Sequence, residues 1–417
     1  MRDQPLSLEN DNSGSVRPRL WVVSEVYYPD ETSTGYYLTA IAEGLAENFD
    51  VKVLCGQPNY SARGTRAPAH EIHNRTEIVR AAGTTFDKNV IIFRLVNMFT
   101  LGISILWNGF LRFKRGDRVL VVTTPPIMPF IVSVASLVKG ASYTLLVHDS
   151  FPESAIAVGI LRRGSFSIRI IDLFNRWLYK NAARIIVVGR DMKQLVERKA
   201  DGLGSNIAVI PNWAETDDVK PRTRNENRLI GQLGIADKLI VLHAGNIGRP
   251  TEIDTLVEAL TLMKGDERFH FVFIGSGGKA PLLESAIKER GLEMVTLLPP
   301  RPRSEQTEFL NACDIGFVSL VKEMWGAAMP SKTYNVMAAG KPILALTDDG
   351  SELAAVIDEE QIGWHIPPSD PNLLVETLND IYRKREQIGE MGRRARLAAE
   401  NKYTLETAIE RYNEVLH

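Results

Sequence analysis

The segment from Met329 to Pro342 carries the residue types best suited to chemistry on a phosphate group. The Pro330-Ser331 pair predicts the start of a helix, and Gly340 followed by proline predicts its end about nine residues later. The free amides of a helix N-terminus attract anions, and the Lys332 ammonium adds a full positive charge there. The segment therefore predicts a place where a departing diphosphate is stabilised. An ordinary capped helix with an exposed lysine is the alternative interpretation.

Two glycine-bearing turns follow predicted strands in the same half of the chain. In His243–Arg249, glycines at 245 and 248 let the backbone wrap around a phosphate, and Arg249 offers it a charge-assisted pair of hydrogen bonds. In Ile274–Lys279, the Gly275-Ser276-Gly277 turn predicts a nucleobase or ribose held against the main chain. A plain tight turn remains an equal alternative for the second segment.

A group of titratable residues follows a predicted strand in the first half. His148, Asp149 and Glu153 stand directly after the apolar run that ends at Val147. Ligands of open parallel sheets bind beyond the carboxyl ends of the strands, so these side chains are expected at a ligand-facing edge. A histidine or carboxylate there can orient or deprotonate an acceptor hydroxyl. Alternatively, Asp149 caps the next helix and His148 fills a core position.

Weaker signals come from Gly35, which follows the first predicted strand, and from Glu352, which follows Asp348-Asp349-Gly350-Ser351. Gly35 would allow a ligand to approach the backbone, and Glu352 could accept hydrogen bonds from sugar hydroxyls; a simple turn and a helix-starting glutamate would look the same. The adjacent aspartates raise the question of a metal, but no nearby cluster offers the remaining oxygen ligands, so we predict neither metal nor cofactor. No G-x-G-x-x-G motif occurs, which disfavours a dinucleotide cofactor.

The elements that must position these residues follow an α/β rhythm. Short runs rich in Val and Ile alternate with helix-patterned stretches, which is typical of parallel sheets, and the series occurs twice. Two such domains facing each other would form one cleft between them. The predicted strands are Leu20–Glu25, Val51–Gly56, Arg118–Thr123, Tyr143–His148, Arg184–Val188 and Ala208–Ile210 in the first series, and Leu239–Ala244, Phe269–Ile274, Val295–Leu298, Ile315–Ser319 and Pro342–Leu346 in the second.

Changes in composition along the chain predict the domain boundaries. Residues 1–18 are polar and lack the apolar run of a secretion signal, so they predict a disordered leader. We expect a first domain over 19–212, a polar linker over 213–238, a second domain over 239–370, and terminal helices over 371–417 that pack back on the first domain. Two cysteines, at 55 and 313, indicate neither a disulfide framework nor a cysteine metal site and agree with a reducing cytoplasm.

Charge is distributed unevenly over the 417 residues. The net charge of -2 argues against a nucleic-acid partner. Residues 19–212 nevertheless hold 23 Lys and Arg against 16 Asp and Glu, a net +7, and the remainder carries -9. The basic first half is suited to an anionic partner such as a phosphate or a membrane surface, unless this difference is ordinary scatter.

An apolar run from Leu95 to Leu111 has no charged residue, and basic residues flank it. Its 17 residues are interrupted by asparagines and glycines and fall short of the roughly 20 that a spanning helix needs. The run therefore predicts a helix that lies at a membrane interface, or else one buried against the first sheet; both interpretations stand equally. The expected membrane contacts are Trp107, Phe110, Arg112, Lys114 and Arg115.

Four motifs in order resemble the family 4 glycosyltransferases, in the branch of L-fucosamine and N-acetylsugar transferases of bacterial surface polysaccharide assembly. They are Thr124-Pro125-Pro126, Asp149-Ser150-Phe151-Pro152-Glu153, Gly245-Asn246-Ile247-Gly248, and the Pro330–Pro342 segment. The resemblance covers nearly all of the chain from Leu20 to Leu416.

This resemblance implies a GT-B fold, with a nucleotide diphosphate sugar held mainly by the second domain and the acceptor by the first. It also implies transfer with retention of configuration and without a metal. The sequence leaves the nucleobase open between uracil and guanine, and we favour a UDP-linked over a GDP-linked donor. In this picture Arg249 and Lys332 neutralise the diphosphate, and His148 and Asp149 lie near the reacting centre. The expected donor contacts are Gly35, Asn246, Gly248, Arg249, Gly275, Ser276, Gly277, Ser331, Lys332, Tyr334, Asn335 and Glu352.

One departure from the family pattern concerns two glutamates eight residues apart, the second of which grips the donor ribose. Asn335 stands at the second position and Ala327 at the first. Asparagine can hydrogen-bond a ribose but carries no charge, so Glu352 or Glu323 is expected to compensate. The branch also implies a polyprenyl-diphosphate-linked or other glycan acceptor at the inner face of the cytoplasmic membrane.

Two other functions fit the same sequence. A nucleotide-sugar 2-epimerase shares the paired α/β architecture but needs no acceptor and no membrane-facing surface. A catalytically silent nucleotide-sugar-binding subunit is the third interpretation, and its support is the Asn335 departure.

Overall fold

The computed structural model describes residues 17–59, 64–87, 90–200, 202, 206–224 and 227–417. Apart from its last two residues, the predicted leader over 1–18 lies outside this described part of the chain. The described residues form two α/β domains, each built on its own sheet. The predicted fold class is therefore confirmed.

The first domain contains an eight-stranded sheet in the order β3-β4-β2-β1-β5-β6-β7-β8. Its pairs are parallel except for β3 with β4. All six predicted strands occur. Two further strands were not predicted: β3 is a half-exposed edge strand of His and Glu, and β4 is buried but has only two consecutive apolar residues, Ile78 and Val79. The strands are β1 Arg19–Val23, β2 Asp50–Cys55, β3 His70–His73, β4 Thr76–Arg80, β5 Arg118–Val122, β6 Ser142–Val147, β7 Arg184–Val187 and β8 Ile207–Val209.

Helices cover both faces of this sheet. Along β1, Trp21 and Val23 face the helices α2 and α3, whereas Leu20 and Val22 face α1, since alternate strand residues point to opposite faces. The next helix on the α2 and α3 face is α5. The ranges are α1 Ser33–Leu45, α2 Ile91–Arg112, α3 Met128–Lys139, α4 Glu153–Ala157, α5 Phe166–Asn181 and α6 Arg190–Lys199.

Helix α2 meets the length and composition of a membrane-spanning segment. Within its stretch from Ile92 to Arg112, an 18-residue window has a mean hydropathy of 1.2, and 28% of that window is buried. The predicted run of 17 residues was thus too short, because the helix begins earlier, at Ile91. Leu101 and Ile105 on its inner side belong to the core of the first domain, so the helix lies along the domain surface.

The polar connector over 213–238 is partly buried, contrary to the prediction. Trp213 and Val219 are core residues, and the Ala214 amide donates to the Tyr403 carbonyl at 2.8 Å. A short helix, α7 over Arg228–Leu233, follows. The connector is polar in sequence, but its few apolar residues pack between the two domains.

The second domain contains a six-stranded parallel sheet in the order β11-β10-β9-β12-β13-β14. Five of its strands were predicted; β14 was not, because glycine and histidine interrupt its apolar pattern. The strands are β9 Leu239–Ala244, β10 Phe269–Ile274, β11 Val295–Leu298, β12 Ile315–Ser319, β13 Ile343–Leu346 and β14 Gly363–Ile366; the helices are α8 Asp254–Leu262, α9 Ala280–Arg290, α10 Gln306–Leu310, α11 Lys332–Ala338 and α12 Glu352–Glu360.

The last three helices divide between the domains. Pro371–Arg383 (α13) packs on α8, and Ile388–Lys402 (α14) packs on α11, so both belong to the second domain. Only Leu405–Leu416 (α15) packs on α1 of the first domain, through Tyr412 and its neighbours. The prediction that all of 371–417 returns to the first domain was therefore wrong for α13 and α14.

Candidate active site

One stretch of chain brings the two domains together. The cleft segment, residues 320–331, connects β12 to α11. Asp149 forms an isolated antiparallel bridge with Ala328, and the Ser150 amide donates to the Ala327 carbonyl at 2.8 Å. The hydroxyls of Ser33 and Ser331 lie 2.8 Å apart. Loops at the carboxyl ends of β1 and β6 therefore both contact the residues that precede Lys332.

Further contacts hold the cleft segment from both sides. The Asp191 carboxylate of α6 accepts the Gly326 amide at 3.0 Å, and the Arg198 guanidinium lies 4.7 Å from the centre of the Trp325 ring. From the second domain, Asp348 accepts the amides of Glu323 and Trp325, at 3.2 and 3.0 Å. Asp348 is thus a structural anchor for this loop.

Lys332 is recessed at the floor of this region, and its partner is a neutral ring. Its Nζ lies 3.0 Å from Nε2 of His243, a residue of β9 that is 1% exposed. Burial lowers the pKa of Lys332 to about 7 and lowers the pKa of His243 well below its usual range. When Lys332 is an ammonium it has no lone pair, so it must donate and His243 must accept. Among the described residues no carboxylate neutralises this charge, which leaves it available to an anion.

The helix that begins at Lys332 is shorter than predicted. Helix α11 covers seven residues rather than about nine, since Ala339 is its C-cap and Gly340, with φ +66°, takes the left-handed conformation that ends it. Ser331 precedes it but makes no side-chain capping bond. A helix this short adds little to the local potential, so the positive charge here is mainly that of the lysine itself.

The two glycine-bearing turns pack directly on each other. A Cβ at Gly275 would lie 1.9 Å from the Gly245 carbonyl oxygen, and one at Gly277 would lie 2.4 Å from the Ile247 carbonyl oxygen. Gly248 is buried in the same contact, under the side chain of Asn246. Backbone packing therefore accounts for these glycines without a ligand. Asn246 and Ser276 remain exposed at the tips of the turns.

Arg249 is exposed beside these turns. In the described part of the chain its guanidinium has neither a hydrogen bond nor an ion pair with a side chain. Like Lys332, it is a cation whose charge is free to meet a ligand.

Asp149 and His148 lie on the opposite wall of the cleft. The Asp149 side chain is open to solvent, yet the protein around it desolvates the carboxylate and raises its pKa to about 6. Desolvation lowers the pKa of His148 to about 4, and its Nε2 is buried without a partner. At neutral pH the pair is thus a neutral imidazole beside a largely ionised carboxylate.

Asp149 does not cap the following helix. The residue at the N-cap of α4 is Pro152, and no side chain makes a capping bond there. Glu153, the first residue of α4, forms an ion pair with Lys199. The capping alternative for Asp149 was therefore wrong, whereas Glu153 has a structural partner.

Two expected donor contacts, Tyr334 and Gly35, have structural roles. Tyr334 is 0% exposed and its ring packs 5.2 Å from that of Tyr403, so a direct contact with a ligand is incompatible with this arrangement. Gly35 is buried with its amide directed to the Thr32 hydroxyl at 3.2 Å, and a Cβ there would lie 2.5 Å from a carbonyl oxygen. Gly35 thus lies in the first turn of α1 rather than in a tight turn, and its close packing accounts for it without a ligand.

Glu352 pairs across the domain interface. Its carboxylate accepts the Arg190 amide at 2.6 Å and the Arg190 guanidinium at 3.0 Å. Glu323, the other expected substitute for the family glutamate, lies 3.0 Å from Arg163. Both carboxylates are therefore committed to arginines of the first domain.

A different carboxylate lies beside Asn335. The Asn335 amide nitrogen is 3.2 Å from Oε2 of Glu215, and the Glu215 amide donates to Asn335 Oδ1 at 3.2 Å. Arg303 pairs with Glu215 and lies 3.4 Å from the centre of the Tyr36 ring. Glu215 was not among the predicted site residues; its one sequence signal is that it follows the carboxyl end of the β8 strand.

The expected membrane contacts divide by the faces of α2. Trp107 is 64% exposed, and Arg112, Lys114 and Arg115 are exposed as well. Phe110 is half-buried and packs against the core of the first domain, because it lies on the inner side of the helix. In the described residues, no three His, Cys, Asp or Glu side chains are grouped as metal ligands would be.

Comparisons with known proteins cover both domains. The family model described as "Glycosyl transferase 4-like domain" matches residues 33–213, and the one described as "Glycosyl transferases group 1" matches residues 225–398. WbjE of Pseudomonas aeruginosa, named as a probable glycosyltransferase, is 31% identical over 374 residues, which cover 87% of this chain and 89% of WbjE.

More distant similarities follow the same pattern. WcaI of Escherichia coli (strain K12), named as a putative glycosyl transferase of colanic acid biosynthesis, is 24% identical over 351 residues. The matched region covers 80% of this chain and 84% of WcaI. HepE of Anabaena, in complex with UDP and glucose, superposes with a TM-score of 0.73 at 15% identity over 96% of this chain and 99% of HepE. Since both halves match glycosyltransferase models and WbjE is 31% identical across most of both chains, the protein belongs to the family 4 glycosyltransferases of GT-B fold.

Proposed function

We propose that this glycosyltransferase moves a sugar from a UDP-sugar to an acceptor held by the first domain, with retention of configuration and without a metal. The observation that carries the proposal is the recessed Lys332 ammonium, whose partner is a neutral histidine at 3.0 Å. Such a charge is suited to the diphosphate, on which negative charge grows as the glycosidic bond breaks. The exposed Arg249 supplies a second cation from the neighbouring turn.

The reaction balances without a further reactant. The bond between the anomeric carbon and the diphosphate oxygen breaks, and the acceptor oxygen forms a bond to the same face of that carbon. The acceptor proton passes to the departing diphosphate oxygen. Asp149 faces this region from the first domain, where its carboxylate orients the acceptor hydroxyl and His148 stays neutral.

The nucleotide is held next to Asn335 in this proposal. Asn335 has no charge, and the neighbouring Glu215 carboxylate is buried and paired with Arg303, so an uncharged amide is the group offered to ribose hydroxyls here.

The sugar is N-acetylated or deoxy, and the acceptor is a polyprenyl-diphosphate-linked or other glycan of surface polysaccharide or lipopolysaccharide assembly. The net +7 of residues 19–212 supports an anionic acceptor at the first domain. The name of WcaI, which refers to colanic acid biosynthesis, and the UDP in the HepE complex support the class of reaction and the nucleotide.

The protein works in the cytoplasm as a peripheral protein on the inner face of the cytoplasmic membrane. Helix α2 supports this proposal, because it presents Trp107 and Leu111 to solvent next to the basic residues that follow it. Trp107→Ser should reduce sedimentation with anionic vesicles. Unchanged sedimentation would contradict a membrane role for this helix.

The deciding experiment is calorimetry with UDP and GDP followed by incubation with labelled UDP-sugars. Transfer or hydrolysis, epimerisation and binding alone leave different products, so one product analysis separates the three functions. We expect UDP to bind, and to bind less well to Lys332→Ala. The proposal fails if neither nucleotide binds, or if a soaked crystal has UDP away from Lys332.

A further inference from the structure

Three neighbouring helices of the first domain expose apolar side chains outside the cleft. We propose that the outward sides of α2, α3 and α5, here called the docking face, lie together on an anionic lipid bilayer, with α5 as deep in the interface as α2. The inference deepens the proposed function and rests on it, because it gives the lipid-linked acceptor a route to the cleft.

Helix α2 turns its large apolar residues outward and its glycines inward. This is the opposite of a surface helix in a soluble protein, which buries its large apolar residues. Phe99, Ile103 and Trp107 recur at four-residue intervals and are each at least 60% exposed. On the inner side, a Cβ at Gly102 would lie 2.7 Å from an Ile131 methyl group, and one at Gly109 would lie 2.8 Å from the Ala135 Cβ. The glycines that interrupt the apolar run are therefore the contact with α3, and the bulky apolar residues face outward.

Helix α5 repeats this arrangement. Its apolar residues at 166, 170, 173, 174 and 177 follow the spacing of one helical stripe, and all five are exposed. Phe166 is 77% and Leu173 is 66% exposed. Its inner side includes the buried Asn175, which donates to the Phe151 carbonyl at 2.7 Å. An amphipathic helix in a soluble domain normally turns such a stripe towards the core.

Helix α3 joins the two stripes into one surface. It packs on α2, and the ring of its Phe130 lies 6.2 Å from that of Phe174 on α5. Val138 of α3 is itself exposed. Contiguous exposed apolar surface on this scale marks an interaction site rather than a free surface.

The charges around the docking face favour lipid over a second copy of the chain. Residues 91–116 contain four Lys and Arg and no Asp or Glu; residues 158–183 contain five Lys and Arg and one acidic residue, Asp172, which pairs with Lys199 at 2.9 Å. Two copies meeting through this face would set like charges opposite each other, at a cost in free energy. Anionic headgroups would instead attract each basic residue near the surface.

The docking face borders the cleft. The chain between β6 and α5 contains Asp149, and Arg163, just before α5, lies 3.0 Å from Glu323 of the cleft segment. A lipid-linked diphosphate held among the headgroups therefore approaches Asp149 without leaving the membrane.

A single labelled site tests whether α5 enters the interface. Both native cysteines are buried, so Leu173→Cys can be labelled selectively with an environment-sensitive fluorophore in the full chain. Leu262→Cys, 60% exposed on α8 of the second domain, is the matched control. With vesicles of equal parts phosphatidylglycerol and phosphatidylcholine, we expect a blue shift at position 173 and none at 262. No shift at 173 overturns the proposal.

A set of substitutions tests how much affinity the α5 stripe contributes. Combining Phe166→Ser, Leu173→Ser and Phe174→Ser should lower vesicle partitioning by more than about tenfold. The control combines Leu262→Ser, Leu282→Ser and Leu397→Ser, which are exposed leucines of the second-domain helices, and should leave partitioning unchanged. Circular dichroism checks that both variants fold.

Three outcomes contradict the docking face. Unchanged vesicle partitioning of the α5 variant contradicts it. So does a control variant that loses as much vesicle partitioning as the α5 variant. A shift from dimer to monomer in the α5 variant would assign the face to a second copy of the chain. UDP affinity should be unchanged in both variants, so absent UDP binding together with intact vesicle binding would contradict the proposed function and leave the docking face standing.

Discussion

The central residue of the candidate site is Lys332, whose pKa is lowered to about 7 by its burial in the fold. Its His243 partner cannot hold the positive charge in place as a carboxylate would. A bound diphosphate supplies that negative charge and should raise the pKa of Lys332 towards its usual value. Nucleotide binding and proton uptake are therefore coupled at this residue.

We expect UDP affinity to fall as the pH rises above about 7, by at most about tenfold per pH unit. The free protein loses the Lys332 proton in this range, and the complex must regain it. Calorimetry at pH values above the Lys332 pKa, in buffers of different ionisation enthalpy, should detect proton uptake on binding. Lys332→Ala should abolish that uptake, and a constant affinity over the range would contradict the coupling.

Lys332→Ala should also lower turnover by more than about tenfold, because the charge that stabilises the leaving group is lost. The measurement is the rate of sugar release from labelled donor at saturating concentration. Lys264→Ala, which changes an exposed lysine of the same domain, is the control and should be near normal. Near-normal turnover in the Lys332 variant would remove this residue from the mechanism.

Asp149→Asn should leave donor affinity intact and reduce transfer, since in the proposed mechanism the carboxylate orients the acceptor rather than the nucleotide. The raised pKa gives a second expectation: because the ionised form is required, transfer by the native protein should decline as the pH falls through about 6. A pH profile of transfer, with Asp349→Asn as an exposed neighbouring control, checks both. An unchanged rate in Asp149→Asn would exclude the proposed role.

At the scale of elements, the turns after β9 and β10 form one unit because their glycines let two backbones touch. Gly275→Ala would press a methyl group into the Gly245 carbonyl, 1.9 Å away, and should destabilise the protein by about 1–3 kcal/mol. Denaturant unfolding measures this change. Gly389→Ala on α14, where a Cβ meets nothing within 4 Å, should be neutral or stabilising. Equal stabilities would show that the turns are not in this close contact.

At the scale of the whole molecule, the geometry of the cleft depends on contacts between the domains. Arg190 of α6 holds Glu352 at the start of α12, while Asp191 beside it holds the cleft segment through Gly326. These bonds join loops that lie far apart in sequence. They set the distance between the wall that carries Asp149 and the floor that carries Lys332.

Arg190→Ala should therefore loosen the domain pair. It leaves the Glu352 carboxylate, 6% exposed, with one backbone partner and should lower the free energy of unfolding by about 1–3 kcal/mol. Small-angle scattering should show a larger radius of gyration without UDP. Arg383→Ala, which breaks an exposed pair with Asp380 inside α13, should change neither quantity. An unchanged radius and stability would mean that other contacts hold the cleft.

The sequence by itself determined the strands and the class of fold. Buried parallel strands such as β9 and β10 are continuous apolar runs bounded by glycine turns, and this signal is local, so it is readable without coordinates. The Asp149 segment was singled out because it directly follows a strand whose carboxyl end faces a ligand in this class of fold. The Lys332 segment was singled out because proline, serine and glycine mark the two ends of a short helix.

The tertiary structure decided which of these residues meet and which do not. Glu215 lies beside Asn335 because the connector packs on α11. Tyr334 is excluded from ligand contact because its helix places it in the core. The exposed apolar stripe of α5 likewise has the same residue spacing as an apolar stripe that faces the core. Periodicity along a chain reports that a helix has two faces, but which face the core occupies depends on elements that are distant in sequence.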